Sequence, residues 1–223
     1  MFHYSISVRQ AKPLKGVRSS GIHDRNALVS RRKRALDVAG SLFGLIFLAP
    51  LLAVAALAVR LESNGPVLFR QRRGGARGRP FEILKFRTMT VLEDGDAITH
   101  AKRGDPRITR VGAILRKTSI DELPQLLNVL RGEMSLVGPR PHALAHDRYY
   151  SPLVPDYQLR FDVKPGLTGL AQITGHRGDV ANVETMANRI NADLEYIETW
   201  NLRTDCRILL LTVTKALIDP LAV

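Results

Sequence analysis

From Val38 to Val59 the chain carries no charged residue, and Pro50 stands in the middle of that run. The run exceeds the about 20 residues that a membrane-spanning helix needs. A proline inside a helix removes one hydrogen bond and clashes with the preceding turn, at about 3 kcal/mol. Both flanks are basic: Arg31, Arg32, Lys33 and Arg34 come before, and Arg60, Arg70, Arg72, Arg73, Arg77 and Arg79 after. Cations beside a membrane helix favour the cytoplasmic side, so both ends ask for the same face. A helix that enters, bends at Pro50 and leaves by the same face meets both conditions. Its first half is about 18 Å long at 1.5 Å per residue, too short to cross alone. A plain signal anchor with a kink stays open, because prolines do occur in spanning helices. The run begins too far in for a signal peptide, and no small-residue cleavage pattern follows it.

With 223 residues the rest can bury a core of its own. The formal charge of +12 attracts polyanions: nucleic acid, anionic lipid headgroups or phosphorylated substrates, so a non-catalytic, signal-anchored basic protein that binds anionic lipid or nucleic acid stays open beside an enzyme. Aromatic residues are sparse and not interleaved with basic ones, which argues against single-stranded nucleic acid, and no nucleic acid is expected as a partner of the enzyme. Cys206 is the only cysteine, so no internal disulfide forms and a reducing compartment is expected. His142 and His146 share an i, i+4 relation, but no acidic partner completes a metal motif, and both are expected at the surface.

The chain divides into a flexible basic arm (1–30), the bent membrane helix (31–62) and a catalytic domain (63–223). Short apolar or alternating runs at 67–69 and 81–86 flank a glycine-rich, basic stretch and read as a hairpin. Residues 90–104 read as a mobile polar loop. Ile108, Val111, Ile114 and Leu115 form a helical stripe, and Leu123 to Leu130 form a helix closed by Gly132. The tail from Val183 to Leu217 is helical, with Met186, Ile190, Leu194 and Ile197 on one face. It lies either in the headgroup region or on the core.

Two adjacent carboxylates, Asp121 and Glu122, stand among Arg116, Arg131 and Arg140. Ser119-Ile120-Asp121-Glu122 fits a capping box, but Pro124 would then fall beyond the first turn. A helix that begins at Pro124 avoids this. It places the carboxylates just ahead of a helix N-terminus, which favours negative charge. Arg116 and Lys117 act in the same sense, so Asp121 is expected to be ionised at neutral pH. Such an aspartate serves as a nucleophile or as a Mg²⁺ ligand. Lys85 and Arg87 would project from one face of a strand, either as a diphosphate clamp or as a solvated face. Arg140, between Pro139 and Pro141, is a stiffly held guanidinium suited to phosphate.

Taken in order, the basic cluster, the proline-broken run, LKFRTM (84–89), DPRITRVGAILRKTSIDELPQLLNVLRGEMSLVGPRP (105–141) and KPGLTGLAQITG (164–175) resemble the bacterial sugar transferase family. These are monotopic polyprenyl-phosphate phosphoglycosyl transferases. The resemblance implies a mainly helical α+β fold: a monotopic membrane protein with a re-entrant helix and a small, hairpin-containing catalytic domain. It implies a Mg²⁺-dependent, two-step reaction in which Asp121 takes a sugar phosphate from a UDP-sugar and passes it to a polyprenyl phosphate. Glu122 matches the second member of the family's dyad. Lys85, Arg116 and Arg140 match positions of the active site and its phosphate contacts, and Arg177 and Asp205 match later polar positions. The expected setting is the cytoplasmic face of a bacterial inner membrane, with anionic lipid as a partner and a homodimer left open. Ala49-Pro50 departs from the Ser-Pro of small members, and the extra N-terminal membrane domain of larger members is expected to be missing. Gly175 to Asp179, Met186, Arg189, Asp193, Tyr196 and Trp200 look like the tail of hexose-1-phosphate transferases that use glucose or galactose.

Overall fold

The computed structural model describes residues 30–90, 105–176 and 182–218. The expectations for the basic arm, for most of the 90–104 loop and for Arg177 lie outside these residues.

Ser30 opens the first helix, α1 (Arg31–Phe47), by accepting a hydrogen bond from the Lys33 N–H at 3.2 Å. Leu48 ends it, and α2 (Ala49–Glu62) follows with Pro50 in its first turn. Proline loses nothing there, because first-turn N–H groups have no intrahelical partner. The uncharged run is therefore two helices, bent by 64° at the break. No single helix among the described residues is long and apolar enough to cross a membrane; only the bent pair has the length and composition to do so. Phe43, Ile46, Phe47, Val54, Leu57 and Leu61 of the pair are exposed. The Phe43 and Phe47 rings stack 5.6 Å apart. The inward face of α1 is polar: Lys33, Asp37 and Ser41 are buried one turn apart.

The expected hairpin is present. Strands β1 (Leu68–Arg73) and β2 (Phe81–Phe86) run antiparallel, from Leu68 opposite Phe86 to Arg73 opposite Phe81. Next come α3 (Arg110–Thr118), α4 (Gln125–Arg131), the short strand β3 (Ser135–Val137) and α5 (Leu144–Tyr150). Strand β4 (Gly166–Thr168) pairs parallel with β3 and leads into α6 (Leu170–Ile173). As expected, Gly132 closes α4 in a left-handed conformation, with φ of 83°.

The helical tail is two helices, α7 (Val183–Thr199) and α8 (Leu202–Ile218), separated at Trp200 and Asn201. Met186, Ile190, Leu194 and Ile197 are all buried, so the α7 stripe packs on the core. It meets Val129, Met134, Val137, Tyr157 and Ile208 there. A smaller apolar cluster of Ala55, Val59, Phe86 and Leu115 joins α2 to β2 and α3.

A buried ion pair ties the two ends of the described chain together. Lys33 Nζ lies 2.7 Å from Asp205 Oδ2 and also donates to the Val137 carbonyl and the Tyr196 hydroxyl. Tyr196 and Trp200 donate to the same Asp205 carboxylate, at 2.8 and 3.1 Å. Arg34 donates to the Val129 and Leu130 carbonyls at the end of α4, both at 2.6 Å. Two members of the Arg31–Arg34 cluster are thus engaged inside the fold, whereas Arg31 and Arg32 are exposed.

Candidate active site

Helix α3 stops at Ser119, whose φ of 57° turns the backbone into the left-handed region. One 3-10 turn, Ile120–Glu122, carries the carboxylates, and α4 starts directly after Pro124. The side chain of Ser119 makes no cap bond, so the capping box does not form. Glu122 turns instead toward β2 and the Gly138-Pro139-Arg140-Pro141 loop. Its Oε1 accepts from Lys85 Nζ at 2.8 Å, and Arg140 grips the carboxylate with Nη2 at 2.5 Å and Nη1 at 3.1 Å. The two-toothed grip uses the planar fork of the guanidinium.

Asp121 is treated differently. It is buried, at 9 % exposure, and among the described residues no donor bonds its carboxylate. Burial pushes its carboxyl up to about 6, against the pull of Lys85, Arg116 and Arg140. Asp121 is thus mostly ionised at neutral pH, as expected, but the cations do not hold it firmly so, since desolvation outweighs them. Burial also works against the Glu122 charge, yet Arg140 and Lys85 overcome it and hold that carboxyl well below its usual range. Burial lowers Lys85 against the opposing pull of Glu122, and Glu122 raises Arg140. Arg116 approaches from α3, its Nη1 4.0 Å from the Met89 sulfur. The site brings three cations, Lys85, Arg116 and Arg140, to bear on two carboxylates, which leaves positive charge for an anionic ligand.

Contacts to the backbone position these groups. Asn128 of α4, fully buried, accepts from the Leu84 N–H and donates to the Glu82 carbonyl, fastening the helix that follows the dyad to the strand that carries Lys85. Pairing of β3 with β4 lays the Gly138-Pro139-Arg140-Pro141 loop on the 164–169 turn. Gly138 N–H donates to the Thr168 carbonyl at 2.9 Å, and Gly166 N–H to the Pro139 carbonyl at 2.8 Å. A Cβ on Gly138 would stand 2.5 Å from the Lys164 carbonyl oxygen, which explains the glycine there. Behind the loop lies a buried polar cluster of His142, Tyr157, Arg160 and Asp193.

The structure thus joins Asp121, Glu122, Lys85, Arg116 and Arg140. Arg87 parts from Lys85: it lies beyond the end of β2, buried, and its Nη2 donates to the Ser63 carbonyl at 2.6 Å and to the Val59 carbonyl at 3.3 Å. It closes the end of α2 and bonds neither carboxylate. Asp205 belongs to the Lys33 anchor. His142 is buried, which corrects the surface placement; burial and Arg160 hold its imidazole well below the usual range. Sequence reasoning singles out neither Asn128 nor Arg160. A polar residue inside the apolar stretch Leu126 to Leu130 is the available signal for Asn128; Arg160 gives none.

Among the described residues no group of three His, Cys, Asp or Glu side chains could hold a metal ion. Mg²⁺, however, often binds through one or two carboxylates together with substrate phosphates and water. Asp121 fits that role, whereas the oxygens of Glu122 are already taken.

The family model described as bacterial sugar transferase matches residues 28–219. The chain therefore belongs to the bacterial sugar transferase family. It is an enzyme of the phosphoglycosyl transferase class. It is 60% identical over 189 residues to a UDP-glucose:undecaprenyl-phosphate glucose-1-phosphate transferase of Caulobacter vibrioides, covering 85% of this chain and 71% of that protein. A protein of the same name from Escherichia coli is 45% identical over 224 residues, all of this chain but only 48% of that protein. An exopolysaccharide production protein of Rhizobium leguminosarum is 47% identical, over 83% of this chain and 94% of its own length. The chain thus spans about half of the Escherichia coli protein and nearly all of the Rhizobium one.

Proposed function

We propose that the protein transfers glucose 1-phosphate, or a closely related hexose 1-phosphate, from a UDP-sugar to undecaprenyl phosphate through a covalent intermediate on Asp121. One observation carries this reading: of two adjacent carboxylates, half-buried Glu122 is locked by Lys85 and Arg140 while buried Asp121 has no bonded partner among the described residues. An Asp121 oxygen attacks the β-phosphorus of the UDP-sugar. The bond from that phosphorus to the bridging oxygen breaks, and UMP leaves with the electron pair. A phosphate oxygen of the polyprenyl phosphate then attacks the same phosphorus and frees the Asp121 carboxylate. Lys85, Arg116 and Arg140 neutralise the phosphoryl oxygens throughout, which is the main demand of phosphoryl transfer. Asp121 would also hold Mg²⁺, which supplies further charge neutralisation on the diphosphate.

The relatives' names and the exposed apolar residues of the bent pair support a lipid acceptor. With both basic flanks on one side, the pair enters the cytoplasmic leaflet and leaves by the same face, seating the dyad where a lipid phosphate resides. The chemical test is UMP release from UDP-glucose, with the mass of a hexose phosphate appearing on the intact protein. Its absence, or full turnover by Asp121→Asn, ends this reading. The topological test is labelling at residues 10 and 100, where opposite-side labels end the re-entrant arrangement.

A further inference from the structure

Arg140 is the cation that grips Glu122 with both arms, and it sits between two prolines. Pro139 and Pro141 have no N–H, so this loop has few donors of its own with which to fix itself. What holds it are its carbonyls. The Pro139 carbonyl accepts from the Gly166 N–H, and the His142 carbonyl from the Gly74 N–H at 3.2 Å. The Pro141 carbonyl accepts from Arg73 at 3.3 Å. The carbonyl of Arg140 itself accepts from Arg160 Nη2. Arg160 comes from the 3-10 stretch Tyr157–Asp162 after α5, 20 positions along the chain, and is 4 % exposed.

The guanidinium is itself held on several sides. Its Nη1 donates to the Tyr157 hydroxyl at 3.0 Å and meets His142 Nδ1. Its Nη2 also reaches Asp193 Oδ2, at 3.4 Å, on α7. Asp147 Oδ1 lies 3.6 Å from Nη1 and accepts from the Tyr157 hydroxyl at 2.7 Å. One planar group thus links α7 and α5 to the backbone of the residue whose side chain grips the dyad. A lysine at 160 would keep the charge near Asp193 but has no rigid fork to span both sides.

We propose that Arg160 is a positioning residue, which fixes the Arg140 backbone and through it the grip of Arg140 on Glu122. This rests on the function proposed above. The test is a double-mutant cycle on the rate of UMP release from UDP-glucose, using Arg160→Lys, Arg140→Lys and the double variant. Because a displacement of about 1 Å can cost about a hundredfold, Arg160→Lys is expected to lower kcat by about tenfold or more. The KM for UDP-glucose is expected to change far less. In the Arg140→Lys background the same change is expected to cost little more, since groups acting as one unit are not additive. Ile197→Val, a buried apolar control on α7, should leave kcat unchanged.

Full kcat in Arg160→Lys, or losses that simply multiply in the double variant, would overturn the proposal. If Arg160→Lys does not fold, Asp193→Asn takes its place in the cycle, and full kcat or multiplying losses overturn the proposal there too. Failure of the unaltered protein to release UMP counts against the proposed function. An active, Asp121-dependent protein indifferent to Arg160 counts against this inference alone.

Discussion

Asp121 and Glu122 share one 3-10 turn but not their partners: Lys85 and Arg140 close on Glu122 at 2.8 and 2.5 Å, and neither bonds Asp121. Consecutive residues in a tight turn point in different directions, so a single backbone segment supplies a fixed anchor and a free oxygen nucleophile. The anchor keeps two cations close to the nucleophile without letting them quench it by direct bonding.

This division makes the aspartate costly to the fold. Its carboxyl lies near 6 in the folded protein against an ordinary 3.8. The folded state therefore binds the proton more tightly than the unfolded state does. Ionised Asp121 destabilises the fold above about pH 6, and the penalty disappears as pH falls toward its unfolded value. Asp121→Asn is expected to lose at least about three orders of magnitude in UMP release. It should nonetheless gain on the order of 2 kcal/mol of stability at pH 7. Thermal melting alongside the activity assay checks both, and a lower Tm in the variant contradicts the isolation of Asp121.

Activity should follow the same group. The kcat/KM for UDP-glucose is expected to fall as pH drops through about 6, because protonated Asp121 cannot attack phosphorus. A profile flat down to pH 5 would remove Asp121 from the nucleophilic role.

Glu122 predicts the opposite stability effect. Its folded pKa is depressed, so its contribution is present above the ordinary carboxylate range and is lost only as pH falls through the folded value. Glu122→Gln leaves Lys85 and Arg140 without their carboxylate; breaking a fully buried pair costs about 3–5 kcal/mol, and this partly exposed group should cost less than that. A denaturant midpoint at pH 7 should fall clearly in this variant. An unchanged midpoint would mean that the grip of Arg140 contributes nothing.

What is legible in the sequence divides by distance along the chain. The hairpin of 68–86, the helix closed by Gly132 and the dyad with its arginines are local, and their residues announce them. Pro50 announces a break, although it opens a second helix rather than bending one. The pairing of Lys33 with Asp205 joins positions 172 apart, and no local pattern connects them. Lys85 and Arg87 show the limit most directly: strand alternation would put both on one face, but β2 ends at Phe86 and the Arg87 guanidinium runs to the end of α2 instead. The burial of His142 and Arg160 depends on distant contacts, such as those of Arg160 with Asp147 on α5 and Asp193 on α7, which periodicity does not encode.

Asp205 is expected to serve the fold rather than the substrate. Asp205→Asn weakens an ion pair with Lys33 and hydrogen bonds from Tyr196 and Trp200, at a cost of about 3–5 kcal/mol. Per folded molecule, the KM for UDP-glucose should stay as it was. Replacing both charges, as in Lys33→Met with Asp205→Leu, should recover part of the stability, because neither charge of the pair is then left buried without the other. A raised KM in folded Asp205→Asn would return this residue to the substrate site.

The glycines of the two packed loops give a contrast in which stability and activity separate. A Cβ on Gly166 would meet the backbone nitrogen and oxygen of Gly138 and the Thr168 carbonyl, none of which can swing aside as a side chain can. Overpacking of this kind costs about 1–3 kcal/mol, occasionally more. Relief can come only by parting β3 from β4, and that moves the loop bearing Arg140. Gly78 has φ of 69° at the exposed hairpin tip, with nothing within 4 Å of an added Cβ. Gly78→Ala therefore incurs only the left-handed backbone strain, about 1–2 kcal/mol. The two substitutions should lower Tm by comparable amounts, but only Gly166→Ala should lower kcat per folded molecule. Equal kcat in the two variants would show that the Arg140 loop does not depend on the β3–β4 pairing for its position.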